Sequence, residues 1–297
     1  DAVRNASIRV PSSSSEGIVE KWPLVVFSHG AGAYRASYSF WVECLASHGY
    51  VVAACDHPGS ARYTIVDGKV ITPGGKRSQR RQMEQDRPLD VLQIINGIQQ
   101  KYNTEKFANT IDTNNVAVTG MSFGGYTTAE TMEYQDSRIT ASVMMCASTS
   151  MSGTQNLHTP ARKNKSTPCM VMIGTEDTVL GMDANDANRQ YVENHTDGDA
   201  YLVEIKRGGH VSFTSCEMYN PEYGNGISAN GQCQKLTGTS PGEMYTPLNI
   251  VKQHEIINNY GLAFLNKYMK GTVDDDDNNN TTNNNSGYLS SNHYKDE

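Results

Sequence analysis

Residues 120–125 have the types and spacing of a nucleophile turn. They read Gly-Met-Ser-Phe-Gly-Gly and follow the apolar run Val116–Thr119, which predicts a strand that ends just before the turn. In a G-x-S-x-G turn, the glycines let the chain bend sharply from strand to helix, so that the serine hydroxyl stands clear of the sheet. Ser122 is therefore a candidate nucleophile. The alternative is a glycine-rich turn that contains a serine by chance.

An activated serine needs a base, and the base needs an acid that orients it. In one common arrangement the serine comes first along the chain, then the acid, then the histidine, and the acid and the histidine each lie on a loop that follows a strand. Here the apolar run Met170–Ile173 leads to Asp177, and the run Tyr201–Ile205 leads through two glycines to His210. Both side chains are expected at the carboxyl ends of parallel strands, where α/β sheets carry their sites. The sequence predicts Asp177 as the acid and His210 as the base.

Other residues compete for these two roles. Glu176 adjoins Asp177, but neighbours on a loop point in different directions, so only one is expected to reach the histidine. His195 falls at the end of a predicted helix and is interpreted as a surface residue. Three further histidines lack a strand that leads into them: His158, His254 and His293.

Acyl transfer also needs backbone N–H groups that bind the oxyanion of the tetrahedral intermediate. One donor is predicted at Phe123, the residue after the serine, where a helix begins. The second is predicted at Ala31, in the loop after the apolar run that ends at Ser28. His29, in the same loop, is interpreted as a structural hydrogen-bonding residue rather than a second base.

The substrate pocket has two candidate residues. Tyr34 follows the loop that carries Ala31, and Met121 immediately precedes the serine. Trp41, which lies at helical spacing further along, is assigned to the core instead.

A metal site is not predicted. Acidic residues crowd the segment that contains Asp177, and clustered oxygens are what Ca²⁺ prefers. Their spacing matches no calcium loop, so they are interpreted as a solvated helix start: Glu176, Asp177, Asp183 and Asp186.

Strand-like apolar runs alternate with helical patterns along the chain, which predicts an α/β fold with a mostly parallel central sheet flanked by helices. A long polar loop is expected from Asp56 to about Arg81, and Pro88 is placed in the first turn of the helix that follows. The predicted strands are Pro23–Ser28, Tyr50–Cys55, Val116–Thr119, Ala141–Met145, Met170–Ile173 and Tyr201–Ile205. The predicted helices are Tyr38–His48, Asp86–Tyr102, Tyr126–Tyr134, Asn185–Asn194 and Ile250–Met269.

Size and composition exclude several classes of function. The chain has 297 residues, enough for one large α/β domain, which we place at residues 1–272. Residues 273–297 are rich in Asp and Asn and are expected to form a disordered tail. A net charge of −7 and a pI near 5.6 argue against nucleic-acid partners. The basic cluster at residues 76–81 is interpreted as a solvated loop or helix start. No apolar run approaches the roughly 18 residues of a membrane span.

Six cysteines are few for this length. Cys216 and Cys233 flank a Gly- and Asn-rich loop and are predicted to form a disulfide, which would stabilise the fold by roughly 3 kcal/mol. The other four are expected to be buried free thiols: Cys44, Cys55, Cys146 and Cys169.

Localisation signals are weak. The chain does not begin with Met, and glycosylation triplets begin at Asn5, Asn164 and Asn194. These features favour secretion or an endomembrane lumen, with the cytoplasm as the alternative.

Three segments carry a resemblance to known proteins: residues 25–30 (Val-Val-Phe-Ser-His-Gly), residues 45–53 (Leu-Ala-Ser-His-Gly-Tyr-Val-Val-Ala) and the turn at residues 120–125. They resemble the platelet-activating-factor acetylhydrolase group, and also dienelactone-hydrolase-like esterases and cutinase-type polyester hydrolases. The resemblance covers roughly residues 20–270. It implies an α/β-hydrolase fold and ester hydrolysis without a cofactor. It also implies a triad of Ser122, Asp177 and His210, with Ala31 and Phe123 as oxyanion donors.

The function expected from this sequence is hydrolysis of carboxylic esters through an acyl-enzyme. Met121 stands where the family commonly has His or Trp, so phospholipid acetyl esters, small soluble esters and polyesters all stay open as substrates. Two other classes stay open as well: a serine peptidase of the prolyl-oligopeptidase type, and a non-catalytic binding protein on the same fold. The oligomeric state is not predicted.

Overall fold

The computed structural model describes residues 21–105, 107, 109–149, 166–195, 197–215, 233–234 and 242–271. The predicted tail and the N-terminal part of the proposed domain lie outside these residues, and the domain boundary at residue 272 stays a prediction. Cys216 also lies outside them, so its disulfide with Cys233 stays a prediction.

A parallel six-stranded sheet forms the centre of the fold. Its strand order is β2-β1-β5-β6-β7-β8, and each neighbouring pair is parallel. The sheet strands are β1 (Trp22–Ser28), β2 (Val51–Cys55), β5 (Ile111–Met121), β6 (Ile139–Met145), β7 (Cys169–Gly174) and β8 (Ala200–Ile205). Two small antiparallel pairs join β3 (Thr64–Val66) to β4 (Lys69–Ile71) and β9 (Cys233–Gln234) to β10 (Met244–Tyr245). The α/β fold class expected from the sequence is confirmed.

Helices cover both faces of the sheet. They are α1 (Ser39–Ser47), α2 (Arg77–Gly97), α3 (Asn103–Glu105), α4 (Phe123–Met132), α5 (Met182–Glu193) and α6 (Ile250–Leu265). Alternate residues of β1 separate the two layers, because successive side chains of a strand point to opposite faces. Val25 and Phe27 pack with Trp41 of α1 and Phe264 of α6, whereas Leu24 and Val26 pack with Val91 and Ile95 of α2. The core assignment of Trp41, which is fully buried, is confirmed.

Two local predictions between β2 and β5 are wrong. The expected polar loop contains the β3–β4 hairpin, whose turn residues Asp67 and Gly68 both have positive φ angles, 49° and 74°. Helix α2 begins at Arg77, nine residues before the predicted start at Asp86, so Pro88 lies inside the helix rather than in its first turn. Proline removes one helical hydrogen bond there, and the packing of Val91 and Ile95 against the sheet outweighs that loss.

Candidate active site

Ser122 occupies a strained turn between β5 and α4. Its backbone angles are φ 57° and ψ −116°, a combination that a residue with a side chain rarely adopts. The neighbouring glycines are required by close approach: a Cβ on Gly120 would collide with the carbonyl of Gly124, and a Cβ on Gly124 with the carbonyl of Ser28. The predicted turn is therefore present, with the strand and helix that the sequence assigned to either side of it.

The end of β6 anchors the backbone of Ser122. The Ser122 N–H donates to the carbonyl of Met145 at 2.8 Å, and the Ser148 N–H donates to the carbonyl of Ser122 at 3.0 Å. The serine residue is 9% exposed, so its hydroxyl group lies at the edge of solvent rather than on open surface.

The loop after β1 passes directly beside the serine. A Cβ placed on Gly30 would lie 3.3 Å from the Cβ of Ser122. The N–H groups of Gly30, Gly32 and Ala33 donate to Tyr38 Oη, the Ser60 carbonyl and the Gly30 carbonyl. Within the described residues, the N–H of Ala31 has no such acceptor. The N–H group of Ala31 is thus available to a ligand, whereas the amides of Gly30, Gly32 and Ala33 already donate within the protein.

Phe123, the other predicted donor, is the first residue of α4. The N–H groups in the first turn of a helix have no acceptor within that helix, and the helix dipole favours negative charge there. The Phe123 ring is buried, with the Arg87 guanidinium 4.3 Å from its centroid. The buried ring thereby anchors the first turn of α4.

Asp177 and His210 form a buried hydrogen-bonded pair. His210 Nδ1 lies 2.6 Å from Asp177 Oδ2, and the amides of Val179 and Leu180 donate to Asp177 Oδ1 at 2.9 and 2.8 Å. Burial alone would raise the pKa of Asp177, but the hydrogen bonds from His210 and these amides outweigh it and lower the pKa below its usual value. A carboxylate only accepts hydrogen bonds, so the neutral form of this imidazole carries its proton on Nδ1 and its lone pair on Nε2.

Hydrogen bonds between the loops after β7 and β8 explain why this pair meets. The Thr175 amide donates to the carbonyl of Ile205 at 3.0 Å, and the Glu176 amide donates to the carbonyl of Gly208 at 2.9 Å. A Cβ on Gly174 would collide with the carbonyl of Gly208, so the glycine permits this close approach. The two loops consequently bring Asp177 and His210 together as the sequence predicts.

Cys146 is a member of this site that sequence reasoning did not assign to it. It follows β6 with a φ angle of 42°, and it is buried. Its thiol, a carboxylate oxygen of Asp177 and a ring nitrogen of His210 lie within 4.8 Å of one another. Burial and the negative charge of Asp177 raise the pKa of this thiol well above its ordinary value. Cys146 therefore lies between the segment that anchors Ser122 and the Asp177–His210 pair.

A second buried polar network supports the loop that carries Ala31. Ser28 Oγ lies 2.9 Å from His57 Nε2, and His57 Nδ1 lies 2.7 Å from Asp90 Oδ2. The Arg87 guanidinium donates to Ser28 Oγ at 2.9 Å and also to the carbonyl of His29. The His57 amide donates to His29 Nε2 at 3.1 Å, which supports the structural interpretation of His29.

Burial keeps both histidines of this network neutral. Burial and the charge of Arg87 lower the pKa of His29 to about 3 and that of His57 well below 6.5. Burial also lowers the pKa of Arg87, to about 10, which still leaves the guanidinium charged at neutral pH. The sequence held one local clue, since Arg87 and Asp90 lie three residues apart on a helix, but nothing local links them to residues 28 and 57.

The two candidate pocket residues lie in different environments. Met121 is 2% exposed, and its Sδ accepts a hydrogen bond from Tyr38 Oη at 3.6 Å. Because Tyr38 Oη also accepts from the Gly30 amide, Met121 supports the loop beside the serine. Tyr34 is half-buried, and its ring centroid lies 6.2 Å from that of Tyr63. Direct contact of either residue with substrate stays a prediction.

The competing histidines and acids take other places. His254 donates to the carbonyl of Thr214 at 2.9 Å and stacks on Phe40, and His195 lies half-buried after α5. Asp183 and Asp186 are exposed on α5, as expected of a solvated helix start, whereas that interpretation is wrong for Glu176 and Asp177, which are buried before the helix begins. Two of the histidines named above, His158 and His293, lie outside the described residues. Four cysteines are not disulfide-bonded, as predicted, but only the first two are buried and the last two are half-buried: Cys146, Cys169, Cys44 and Cys55.

Comparison with solved structures establishes the fold. A ferulic acid esterase from Streptomyces cinnamoneus superposes with a TM-score of 0.66 at 21% identity, over 86% of this chain and 69% of that chain. The chain has an α/β-hydrolase fold. Sequence comparison then connects this hydrolase fold with one group: the family model of platelet-activating factor acetylhydrolase, isoform II, matches residues 2–71 and 74–148.

Curated relatives agree with that match. The platelet-activating factor acetylhydrolase of Canis lupus familiaris is 31% identical over 158 residues, which is 43% of this chain and 35% of the relative. The enzyme of that name from Cavia porcellus is 25% identical over 292 residues, 89% of this chain and 62% of the relative. The chain thus spans less than two thirds of the length of these relatives. Among its described helices, none combines the length and apolar character needed to cross a membrane.

Proposed function

We propose that this protein is a serine carboxylic-ester hydrolase that works through an acyl-enzyme. The observation that carries the proposal is the Asp177–His210 hydrogen bond at 2.6 Å, next to the segment that anchors a serine on a strained turn. The unengaged N–H of Ala31 beside that serine adds the electrostatic element that ester cleavage requires.

In the proposed mechanism Ser122 Oγ attacks the ester carbonyl while His210 Nε2 takes the hydroxyl proton. The N–H groups of Ala31 and Phe123 bind the oxyanion, and His210 then protonates the leaving alcohol. Water then attacks the acyl-enzyme while His210 takes its proton, and the same N–H groups bind the second oxyanion. His210 returns the proton to Ser122 Oγ as the carboxylic acid is released. Asp177 fixes the histidine tautomer and stabilises the imidazolium that forms in each step. No metal or cofactor takes part.

The substrate class that best fits the similarity to platelet-activating factor acetylhydrolases is a phospholipid with a short acyl ester. The alternative is a polyester, and small soluble esters would be cleaved by the same groups. Activity on a series of esters of increasing acyl length, together with a phospholipid and a polyester film, separates these substrates. An aminoacyl-anilide in the same series tests the peptidase alternative.

Secretion or residence in an endomembrane lumen belongs to the same proposal. It rests on the glycosylation triplets at Asn5, Asn164 and Asn194. Detection of the protein in culture medium with enzymatically removable glycans tests it, and an unmodified cytoplasmic protein contradicts it.

The decisive experiment for the chemistry is Ser122→Ala. We expect this variant to lose hydrolysis of a p-nitrophenyl short-chain ester and labelling by a fluorophosphonate probe, with an unchanged far-UV circular dichroism spectrum. Ser142→Ala is a matched control, because Ser142 is also buried, on β6, and its hydroxyl has no hydrogen-bond partner among the described residues. Labelling that persists in Ser122→Ala would disprove the mechanism, and an unlabelled wild-type protein would favour a non-catalytic binding function.

A further inference from the structure

The thiol beside the proposed catalytic pair creates a combination of donor atoms that ester hydrolysis does not need. Cys146, Asp177 and His210 come from the carboxyl ends of three neighbouring strands, β6, β7 and β8. All three residues are buried, and their donor atoms lie within 4.8 Å of one another. Within the described part of the chain, this is the one group of three or more His, Cys, Asp or Glu side chains arranged in this way.

These three donors match the preferences of zinc. Thiolate sulfur, imidazole nitrogen and carboxylate oxygen are its usual protein ligands, at about 2.0–2.3 Å in tetrahedral geometry. Donors in such a tetrahedron lie about 3.3–3.8 Å apart, so small side-chain rotations would bring this group into the required range. A thiolate and a carboxylate also cancel the charge of a divalent cation, which lowers the cost of burying it.

We propose that Zn²⁺ or another thiophilic divalent cation binds Cys146, Asp177 and His210 and thereby inhibits the enzyme. The cation replaces the thiol proton, which leaves to solvent. It takes the lone pair of His210 Nδ1, and the proton of Nδ1 is replaced by one on Nε2 through exchange with solvent. The hydrogen bond between Asp177 and His210 is lost, and with it the orientation of the base. The inhibitory part of this inference rests on the proposed function, whereas the binding part rests on geometry alone.

The sulfur ligand determines which cations qualify. Thiolates favour Zn²⁺ and similar soft or borderline ions, whereas Mg²⁺ prefers sites made only of oxygen ligands. One carboxylate in a pocket with a thiol and an imidazole offers Mg²⁺ too few oxygen ligands. The site should therefore discriminate strongly between the two cations.

The experiment measures binding and inhibition separately. Thermal unfolding of the full chain is recorded with ZnCl₂ or MgCl₂, and ester hydrolysis is recorded over the same metal concentrations. Zn²⁺ should raise the unfolding temperature, because a ligand that binds only the folded state stabilises it. Zn²⁺ should also reduce hydrolysis reversibly, with recovery after chelation by EDTA, and MgCl₂ should do neither.

Two cysteine variants locate the site. Cys146→Ser removes the sulfur ligand and should raise the Zn²⁺ concentration for half-inhibition at least about tenfold, with a similar loss of the thermal shift. Cys44→Ser removes a half-buried thiol on α1 that contacts His48 and does not belong to the group of three donors, and it should leave both effects as in wild type.

Three results would overturn the proposal. They are an unchanged thermal shift in Cys146→Ser, an equal loss in Cys44→Ser, or equal responses to Zn²⁺ and Mg²⁺. If hydrolysis is absent in the wild-type protein, the proposed function fails, but the thermal shift still decides whether the cation binds. Binding without inhibition in an active enzyme would overturn the inhibitory part.

Discussion

His210 Nδ1 lies 2.6 Å from Asp177 Oδ2. The two residues belong to the loops after β8 and β7, and backbone hydrogen bonds join these loops to each other. Both side chains are almost fully removed from solvent, at 9% and 0% exposure. The carboxylate therefore faces one imidazole and two backbone amides, an arrangement that fixes which histidine nitrogen carries the proton.

Replacement of this acid tests the tautomer argument. Asp177→Asn should lower kcat for a p-nitrophenyl ester by about 10²–10⁴-fold, because an amide can hold the imidazole in the unproductive tautomer. Steady-state kinetics give the value. Glu176→Gln is the matched control, since it changes the neighbouring acid, and it should keep most of the activity. The reverse pattern would transfer the role to Glu176.

The stability of the loop that carries Ala31 should depend on Arg87. Arg87→Met leaves the carbonyl of His29 and the hydroxyl of Ser28 without their buried donor, at a cost of about 2–4 kcal/mol in the free energy of unfolding. Urea denaturation measures this loss. Arg80→Met, on an exposed turn of the same helix, should change the free energy of unfolding by less than about 0.5 kcal/mol. Equal effects of the two variants would contradict a special role for the network.

The two neutral histidines of that network predict an acid-sensitive fold. Their pKa values in the folded state lie below 6.5, at about 3 for His29 and well below 6.5 for His57. The unfolded chain therefore binds protons that the folded chain does not. Stability is therefore lost as the pH falls below 6.5, by about 1.4 kcal/mol per pH unit for each histidine that stays neutral in the folded state, and for His29 this loss continues to about pH 3.

Urea denaturation at several pH values between 6.5 and 4 measures this slope. His29→Asn should reduce the slope by the contribution of one histidine, whereas His48→Asn, at an exposed helix end, should leave it unchanged. A wild-type stability that is constant over this range would disprove the assignment of neutral buried histidines.

The nucleophile turn should not tolerate a side chain at Gly124. A Cβ there would collide with the carbonyl of Ser28, so Gly124→Ala must displace either β1 or the start of α4. We expect loss of activity together with a stability loss of about 3 kcal/mol or more, measured by urea denaturation. Gly75→Ala has open space around its Cβ and should be close to neutral. A fully active Gly124→Ala variant would contradict the geometry of the turn.

Strand ends were the most informative part of the sequence. The roles of Ser122, Asp177 and His210 were predicted from short local patterns, in which an apolar run stops and glycines or polar residues follow. The structure places all three residues after sheet strands, and it brings Asp177 and His210 into contact. Such patterns are informative because a parallel sheet places the ends of its strands along one edge.

Contacts between distant segments that lie outside this strand-end pattern could not be predicted. The network of Ser28, His57 and Asp90 connects β1, the loop after β2 and helix α2, and each of these residues is unremarkable within its own segment. Cys146 was expected only to be a buried free thiol, and its proximity to Asp177 depends on the register of two strands. The β3–β4 hairpin was missed because its strands have three residues each and Ile65 and Val70 stay exposed, although Asp67-Gly68 is a recognised turn signal.

The backbone hydrogen bonds that join Ser122 to Met145 and Ser148 determine how the serine is positioned. They connect the serine to the end of β6, and β6 is in turn hydrogen-bonded to β7, which precedes Asp177. The proposed reacting groups are therefore positioned by a sheet whose strands lie about 4.8 Å apart, together with the hydrogen bonds that join the loops after β7 and β8. We expect any ester hydrolysis by this protein to be lost on heating only when the sheet itself unfolds.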